Sequence, residues 1–403
     1  MRSIADHQQA VAELLSPTLQ GLGEETIPLD LARGRVLAED LLAPVDLPGF
    51  DNSQMDGYAA GPPGDLANTY TVLSAIPAGS TETRQLGPGE AAPIMTGAPV
   101  PSNADAVAPV EQTRPSAFLN PGESVELPPM EPGNFIRRRG SDIHIGQLAL
   151  RQGTQLTPPQ LGLIAALGLN RVTVLRQLRV GVLSTGDELL PANRESGEAS
   201  TSPGAIHDAN TPMLCAALES AGALAIALPA ASDDPDALRE SLAEIPDLDV
   251  LITTGGVSQG AFEVVRQAFP EVEFGPVAMQ PGGPQGLGRL TGQRSGEQNS
   301  VPALPLLAFP GNPVSAMVSF EVFLRPLLAG DRPILRLPLL EDVRSPETKH
   351  QIRRARLRPE GVELLGGPSS HLLHALAESD ALVHLPVGLT DAAAGTEVEV
   401  WPL

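Results

Sequence analysis

Residues 250–260 read Val-Leu-Ile-Thr-Thr-Gly-Gly-Val-Ser-Gln-Gly, and the architecture of the chain follows from this segment. The first five residues have the apolar, β-branched character of a buried strand, and the glycines after them favour a sharp turn into a helix. Free backbone N–H groups at such a turn can bind a phosphate group. A tight turn that needs glycine only for its dihedral angles explains these residues equally well.

Predicted strands and helices alternate on both sides of this segment. The strands are predicted at residues 179–184, 224–228, 250–254 and 306–309, and the helices at 210–221, 236–245 and 313–328. Strands that alternate with helices over short connections form a parallel sheet with helices on both faces. The sequence therefore predicts an α/β fold with a central doubly wound parallel sheet, in which ligands bind beyond the carboxyl ends of the strands.

Turns and acids at these strand ends are the candidate ligand site. The turns are Thr185-Gly186 after the first strand, Gly255-Gly256-Val257-Ser258 after the third, and Pro310-Gly311-Asn312 after the last, which is equally a capped strand-to-helix junction. The acids are Asp187, Glu188, Asp208 and Glu263, and carboxylates that meet at one edge can hold a hydrated Mg²⁺ bound also to phosphate. Taken singly, each acid is more often a helix cap or a solvated residue, and the capping interpretation is strongest for Asp208.

Composition excludes several classes of function. The chain has 48 acidic and 26 basic residues and a net charge of -22, which argues against nonspecific binding to nucleic acid or to an anionic membrane. The lone Cys215 cannot form an internal disulfide, which fits a reducing compartment. No apolar run is long enough to span a bilayer and no secretory signal is recognisable, so we expect a cytoplasmic protein without membrane insertion. The run 137–139 is three arginines, which suits either an anion or plain solvation.

The remaining segments predict helices at 3–19, 29–41 and 156–167 and a β-rich region at 43–153 with strands at 69–74, 106–111 and 124–127. The polar segment 291–300 predicts an exposed loop, and the β-branched residues after 333 predict a small β domain.

Seven segments, taken in order, resemble the motifs of the molybdopterin molybdenumtransferase family, which includes the bacterial molybdenum-insertion enzyme and the E domain of gephyrin. These segments are residues 50–58, 96–101, 137–143, 183–189, 207–210, 255–260 and 309–315. The resemblance implies an elongated homodimer with a helical stem (1–45 plus 141–177), a β-rich arm (46–140), an α/β domain (178–331) and a C-terminal β barrel (332–403). It also implies Mg²⁺ as cofactor and insertion of molybdenum from molybdate into adenylylated molybdopterin, with release of AMP.

The resemblance also assigns roles to residues. Asp56 and Thr96 would act catalytically in the site of the partner subunit, together with Glu188 and Glu263. Asp208 would bind nucleotide and, with Glu263, metal. The residues that would bind the cofactor are Thr185, Gly186, Asp208, Gly255, Gly256, Ser258, Pro310, Gly311, Asn312, Arg354 and Ser370, of which Arg354 and Ser370 match positions associated with molybdate.

Two departures from the family pattern bear on activity. Gln280 and Gly283 stand where the family has two lysines, and Glu263 stands where it usually has Asp. Because cations stabilise the charge of a transferring phosphoryl group, we hypothesise weakened metal insertion unless arginines substitute. The alternatives are a gephyrin-like scaffold that binds a short peptide of a tubulin-like division protein or a membrane receptor tail, and a nucleotide sensor without catalysis.

Overall fold

The computed structural model describes residues 1–66, 68–81, 84–190, 204–231, 234–243, 247–257, 264–290 and 304–403. The predicted loop at 291–300 and the candidate residues Ser258 and Glu263 lie outside the described residues. The chain divides into two compact units, a first unit of residues 1–23 and 176–403 and a second unit of residues 24–175. No helix in the described ranges is long and apolar enough to cross a membrane.

Helix α1 (Ile4–Gln20) opens the first unit, as the sequence predicts. The hydroxyl of Ser3 accepts a hydrogen bond from the Asp6 amide at 3.0 Å, and the Asp6 carboxylate accepts one from the Ser3 amide at 3.2 Å. This reciprocal pair satisfies two amides that a helix start leaves free. The buried residues His7, Val11 and Leu15 recur every four positions and give the helix one apolar face.

The second unit is mainly β structure. Its elements are β1 (Glu24–Pro28), β2 (Leu41–Leu42), β3 (Asn52–Ser53), β4 (Gly57–Ala60), β5 (Thr69–Val72), β6 (Glu90–Ile94), β7 (Ala106–Pro109), β8 (Ser124–Glu126), β9 (Ile136–Arg137), β10 (Leu148–Leu150), α2 (Pro158–Ala166) and β11 (Arg171–Leu175). Five strands form one sheet in the order β7-β4-β6-β5-β8, and the pairs β1–β11, β2–β10 and β3–β9 stand apart from it. The three strands and the helix predicted between residues 69 and 167 are therefore confirmed.

The helix predicted at 29–41 is wrong. Only Leu29–Leu31 forms a 3₁₀ turn, and the chain after it is held by isolated bridges from Val36 to Gln155 and from Leu37 to Val174. Leu31 is 65% exposed whereas Leu37 is 1% exposed, so the apolar residues do not share one helical face. Pairing with distant strands has overridden the local pattern.

The central sheet of the first unit has six strands in the order β15-β12-β16-β20-β19-β17. The strands in this part of the chain are β12 (Arg179–Ser184), β13 (Leu189–Leu190), β14 (Ile206–His207), β15 (Leu224–Ala227), β16 (Val250–Thr254), β17 (Glu273–Pro276), β18 (Met279–Gln280), β19 (Pro284–Leu290) and β20 (Leu304–Phe309). The helices are α3 (Asn210–Ser220), α4 (Pro235–Ala243), α5 (Val264–Ala268), α6 (Pro313–Ser319), a π-helical segment (Phe320–Leu324) and α7 (Arg325–Ala329). The four predicted strands pair in parallel, while β19 pairs antiparallel with both β20 and β17. The sheet is therefore mixed rather than parallel throughout.

Helices cover both faces of this sheet. In β16, Val250 and Ile252 pack in one cluster with residues of α1, α3 and α6, whereas Leu251 packs in another with residues of α4 and α5. Alternate residues of a strand point to opposite faces, so two separate cores on the two faces are what a doubly wound sheet requires. The predicted α/β class is confirmed.

The C-terminal residues form the predicted small barrel. Its elements are β21 (Leu335–Pro338), β22 (Val343–Arg344), β23 (His350–Arg358), β24 (Gly361–Leu364), α8 (Leu373–Ala377), β25 (Ala381–Leu385), β26 (Asp391–Ala392) and β27 (Glu397–Pro402). The strands pair in the order β24-β23-β25-β27-β21, and a bridge from Leu339 to Val362 returns the path to β24 and closes it. Strand β18 pairs in parallel with the start of β23. The division of the chain into stem, arm, α/β domain and barrel at the stated boundaries stays a prediction.

Candidate functional site

A cavity of about 760 Å³ lies in the first unit at the carboxyl ends of β12, β16 and β20. The predicted residues that line it are Thr185, Gly186, Glu188, Asp208, Gly255, Gly256, Pro310, Gly311, Asn312 and Ser370. Residues from three separate turns and from the C-terminal domain thus meet around one space. Strand ends in an open α/β sheet are where such a ligand site is expected.

Two of the glycine turns touch each other at the floor of the cavity. A Cβ on Gly255 would lie 2.8 Å from the carbonyl oxygen of Thr185, and a Cβ on Gly311 would lie 3.3 Å from the Cα of Gly255. Gly255 also has a φ of +93°, which side chains rarely adopt. Glycine is therefore required for the turn itself, and it also leaves bare backbone at the cavity floor.

A buried polar network supports these turns. The hydroxyl of Ser184 lies 2.9 Å from that of Thr211 and 3.1 Å from that of Thr254. The side-chain amide of Asn210 donates to the carbonyl oxygen of Gly311 at 2.7 Å, but its Oδ1 has no partner in the described structure although the residue is only 8% exposed. A buried acceptor left without a donor points to a ligand or a water at that place.

Asp208 caps helix α3 as well as lining the cavity. Its Oδ1 accepts hydrogen bonds from the amides of Asn210 and Thr211 at 2.9 and 3.1 Å and from Ser184 Oγ at 3.0 Å. Among the described residues, its Oδ2 accepts from Thr211 Oγ1 alone, at 2.6 Å. The capping interpretation of the sequence therefore holds, and Oδ2 is the oxygen that retains free acceptor capacity.

Glu188 presents a carboxylate at the same cavity. A Cβ on Gly186 would lie 2.5 Å from Glu188 Oε2, so the carboxylate folds over a position that only glycine leaves open. The exposed Glu188 side chain forms no hydrogen bond or ion pair with another described residue. Its oxygens are thus available to a ligand.

These acids fit Mg²⁺ only in partnership with a substrate. The described residues contain no cluster of three or more His, Cys, Asp or Glu side chains that could hold a metal. Mg²⁺ usually keeps several waters and binds through one or two carboxylates plus phosphate oxygens. Glu188 and Oδ2 of Asp208 could supply that minimal protein share.

Ser370 and Arg354 occupy different places. Ser370 lines the cavity, and its carbonyl oxygen accepts a hydrogen bond from the Val314 amide at 3.2 Å. Arg354 does not line the cavity within the described ranges. Its Nη2 donates to the carbonyl oxygen of Gly367, while Nε and Nη1 have no partner there. Burial, reinforced by neighbouring Arg353, lowers the pKa of the Arg354 guanidinium.

Asp56 and Thr96 pair with each other in the second unit. The Thr96 amide and hydroxyl donate to Asp56 Oδ1 at 2.7 and 2.9 Å, and these bonds lower the pKa of the Asp56 carboxyl. In the arginine run of the same unit, Arg138 pairs with Asp51 and Arg139 with Asp46, at 2.7 and 2.5 Å. Those two guanidinium groups are thus occupied by acids of their own unit.

Two residues at the cavity were missed by sequence reasoning. Asn210 was expected only as the start of a helix. Lys349, the single lysine of the chain, lines the cavity together with Gln280 and Gly283, the two positions where the family pattern has lysines. The feature of the sequence that could have drawn attention to Lys349 is that the chain has no other lysine.

Residues 181–330 match the family model described as a probable molybdopterin binding domain. Residues 2–168 match the MoeA N-terminal region, domains I and II, and residues 336–403 match the MoeA C-terminal region, domain IV.

Relatives of full length agree with these matches. Molybdopterin molybdenumtransferase 2 of Mycobacterium tuberculosis is 41% identical over 429 residues, covering 100% of both chains. The molybdopterin molybdenumtransferase of Synechococcus elongatus is 35% identical over 416 residues, covering 98% of this chain and 99% of its own. A solved molybdopterin biosynthesis MoeA protein from Pyrococcus horikoshii has a TM-score of 0.75 at 25% identity, covering 98% of this chain and 99% of that one. The chain belongs to the molybdopterin molybdenumtransferase family.

Proposed function

We propose that this chain acts in molybdenum cofactor biosynthesis by inserting molybdenum from molybdate into adenylylated molybdopterin, with release of AMP. The observation that carries the proposal is the cavity at the strand ends, whose floor is bare glycine backbone and whose rim bears the carboxylate of Glu188, which pairs with no other described residue. Full-length relatives named as molybdopterin molybdenumtransferases support the same reaction. No feature of the described structure favours the peptide-binding scaffold.

In this proposal, some of the described residues bind the phosphate groups of the substrate and others bind Mg²⁺. The backbone amides of the turn at Gly255 and Gly256 would position the phosphate groups, because backbone dipoles stabilise charge without needing to reorganise. The unpaired Oδ1 of Asn210 would accept a hydrogen bond from a donor group of the substrate. Glu188 and Asp208 would hold Mg²⁺ against the phosphoanhydride. The metal would neutralise charge that develops on the leaving phosphate.

The proposal extends to a cytoplasmic homodimer in which Asp56 and Thr96 of one subunit complete the cavity of the other. Its support is the family resemblance together with the Asp56–Thr96 pair, whose carboxylate is fixed by two hydrogen bonds to one oxygen. A carboxylate fixed in this way keeps its second oxygen free for a ligand.

The test is AMP release from adenylylated molybdopterin by the purified protein, with and without molybdate and Mg²⁺. We expect release that requires both, and we expect Glu188→Gln to lower the rate about 100-fold or more. Glu360→Gln, which removes an exposed acid in the turn between β23 and β24, is the matched control and should leave the rate unchanged. Tight nucleotide binding without any AMP release would instead establish the sensor function.

A further inference from the structure

A chain of three polar side chains, which we call the amide relay, leads from the cavity wall into the C-terminal barrel. Gln280, the last residue of β18, lines the cavity. The parallel pairing of β18 with β23 places Gln280 opposite Gln351, whose Nε2 donates to Gln280 Oε1 at 2.9 Å. Two positions further along β23, on the same face of the strand, Arg353 Nη1 donates to Gln351 Oε1 at 3.4 Å. The amide relay therefore consists of Gln280, Gln351 and Arg353, and it ends at the cavity.

The two inner members of the amide relay are shut off from solvent. Gln351 is 2% exposed and Arg353 is 7% exposed. The Nη2 atom of Arg353 donates to the carbonyl oxygen of Gly366 at 2.8 Å, which holds the guanidinium group in place. A buried amide cannot exchange its protein partners for water without cost, so the orientation of the Gln351 side chain is set by its neighbours.

The guanidinium group gives the amide relay a direction. It has N–H donors and no acceptor, so the atom of Gln351 that faces Arg353 must be the carbonyl oxygen Oε1. The amide nitrogen of Gln351 then faces Gln280 and requires an acceptor there, which is Gln280 Oε1. The Nε2 atom of Gln280 is thus left at the cavity end of the relay, and no described residue accepts a hydrogen bond from it.

This direction matters because position 280 carries no positive charge. A lysine offers donors only, whereas a glutamine offers a donor or an acceptor according to which way its amide is turned. An amide turned the wrong way would present Oε1 to the cavity and repel an oxygen of a bound ligand. The amide relay disfavours that orientation.

We propose that Arg353 and Gln351 are positioning residues, which turn the Gln280 amide so that its Nε2 donates a hydrogen bond to an acceptor oxygen of the ligand in the cavity. The identity of that ligand, adenylylated molybdopterin, rests on the proposed function. An arginine thereby compensates in part for the absent lysine at position 280, although it acts through two neutral amides and does not itself touch the ligand.

The test turns the Gln280 amide round. In Gln351→Glu the side chain at position 351 has acceptors only, so Gln280 must donate to it from Nε2 and present Oε1 to the cavity. We expect KM for adenylylated molybdopterin to rise about tenfold or more, the usual weight of one hydrogen bond to a charged group. Gln280→Met, which has no donor, should raise KM by a similar factor. Gln20→Glu, the same change at the exposed end of α1, is the control and should leave KM unchanged.

A double-mutant cycle separates positioning from folding. Arg353→Met should raise KM about twofold, because a freed Gln351 leaves the Gln280 amide in the competent orientation only about half of the time. In a Gln280→Met background, neither Arg353→Met nor Gln351→Glu should raise KM further, whatever each does to the melting temperature. An additional rise there would show that the two residues act by another route, and it would overturn the proposal.

Calorimetry with AMP alone locates the acceptor oxygen. Binding of AMP that is about tenfold weaker in Gln351→Glu would assign the acceptor to the nucleotide. Unchanged AMP binding together with a raised KM would assign it to the remainder of the substrate. If wild type releases AMP and the KM of Gln351→Glu is unchanged, the inference is overturned and the proposed function stands.

The absence of AMP release by wild type would instead defeat the proposed function, and nuclear magnetic resonance then tests the inference without a ligand. The side-chain amide resonance of Gln280 is identified by its loss in Gln280→Met. We expect this resonance to move downfield in Gln351→Glu, because Nε2 then donates to a carboxylate. That movement would support the orientation on which the inference depends, and an unmoved resonance would overturn it.

Discussion

Asp208 combines a helix-capping role with its proposed ligand-binding role in a single carboxylate. Oδ1 receives two hydrogen bonds from amides at the start of α3 and a third from Ser184 Oγ, while Oδ2 receives one from Thr211 Oγ1 among the described residues. Helix capping and metal binding depend on different properties of the carboxylate, because a helix cap needs an acceptor oxygen and a metal ligand needs negative charge. Asparagine retains the first property and loses the second.

We therefore expect Asp208→Asn and Asp208→Ala to separate the two jobs. Asp208→Asn should change the free energy of unfolding by less than about 0.5 kcal/mol and raise the Mg²⁺ concentration for half-maximal AMP release about tenfold. Asp208→Ala should cost about 1 kcal/mol in addition. Urea unfolding and Mg²⁺ titration of the rate measure the two effects, and an unchanged Mg²⁺ requirement in both variants would exclude Asp208 from the metal site.

The candidate site could be predicted where its chemistry is local. The turns at Gly186, Gly255 and Gly311 each follow an apolar strand, and turn chemistry is written in adjacent residues. Lys349 and the partnerless Oδ1 of Asn210 could not be placed, because their neighbours in the cavity are distant in the chain. Arg354 shows the converse. A matching motif predicted a binding role for this residue, but its position, in which it donates a hydrogen bond to the carbonyl oxygen of Gly367, depends on packing.

The helix that follows β20 contains a buried ion pair at its π-helical segment. Arg332 holds Glu321 through two hydrogen bonds of 2.9 Å, and the Glu321 side chain is 1% exposed. Pro326 follows the segment and has no amide hydrogen, so regular helical bonding cannot run through it, and a widened turn accommodates the break. The sequence predicted one continuous helix here because its apolar spacing does not register such a local widening.

We expect Arg332→Met to lower the free energy of unfolding by about 3 kcal/mol, because the buried Glu321 carboxylate would then have Arg325, at 3.8 Å, as its one remaining described cation. Glu321→Gln combined with Arg332→Met should recover part of that loss. Arg336→Met, which breaks an exposed pair with Glu399 at 3.6 Å, is the matched control and should cost less than about 1 kcal/mol. Equal losses in the two single variants, measured by urea unfolding, would contradict the burial argument.

The first unit contains two buried histidines, and we expect them to make the protein less stable in acid. Burial lowers the pKa of His7 from 6.5 to about 4 and that of His384 to about 3. His7 packs edge-on against Phe323, and His384 lies against Trp401 with its Nδ1 at 3.0 Å from His350. The unfolded chain therefore binds more protons than the folded one below pH 6.5, and stability present above that pH is lost as the pH falls.

Lowering the pH from 7 to 5 should reduce the free energy of unfolding by about 2 kcal/mol for each of these histidines. His7→Leu should remove about half of the combined loss, because leucine does not titrate. His374→Gln, at a side chain that is 89% exposed, is the control and should leave the pH dependence unchanged. Urea unfolding at pH 7 and at pH 5 measures this change. If His7→Leu loses as much unfolding free energy between the two pH values as wild type, His7 does not contribute to the acid sensitivity.

The proposed sharing of sites between subunits has a direct test. Asp56→Asn and Glu188→Gln should each abolish most AMP release as pure dimers, since each dimer lacks one residue from both sites. Co-expressed together, they should recover about a quarter of wild-type activity, because half of the dimers are mixed and each of those has one intact site of two. No recovery in mixed dimers, isolated through a different affinity tag on each subunit, would place both residues in the site of a single subunit.

That the chain possesses a single lysine, on the wall of its main cavity, has a practical consequence. Apart from the chain terminus, Lys349 is the only primary amine that an acylating reagent can modify. Amine coupling to a sensor surface would tether the molecule at the wall of that cavity. The same chemistry, used sparingly, would install one fluorophore at the cavity wall, where it could report on ligand binding.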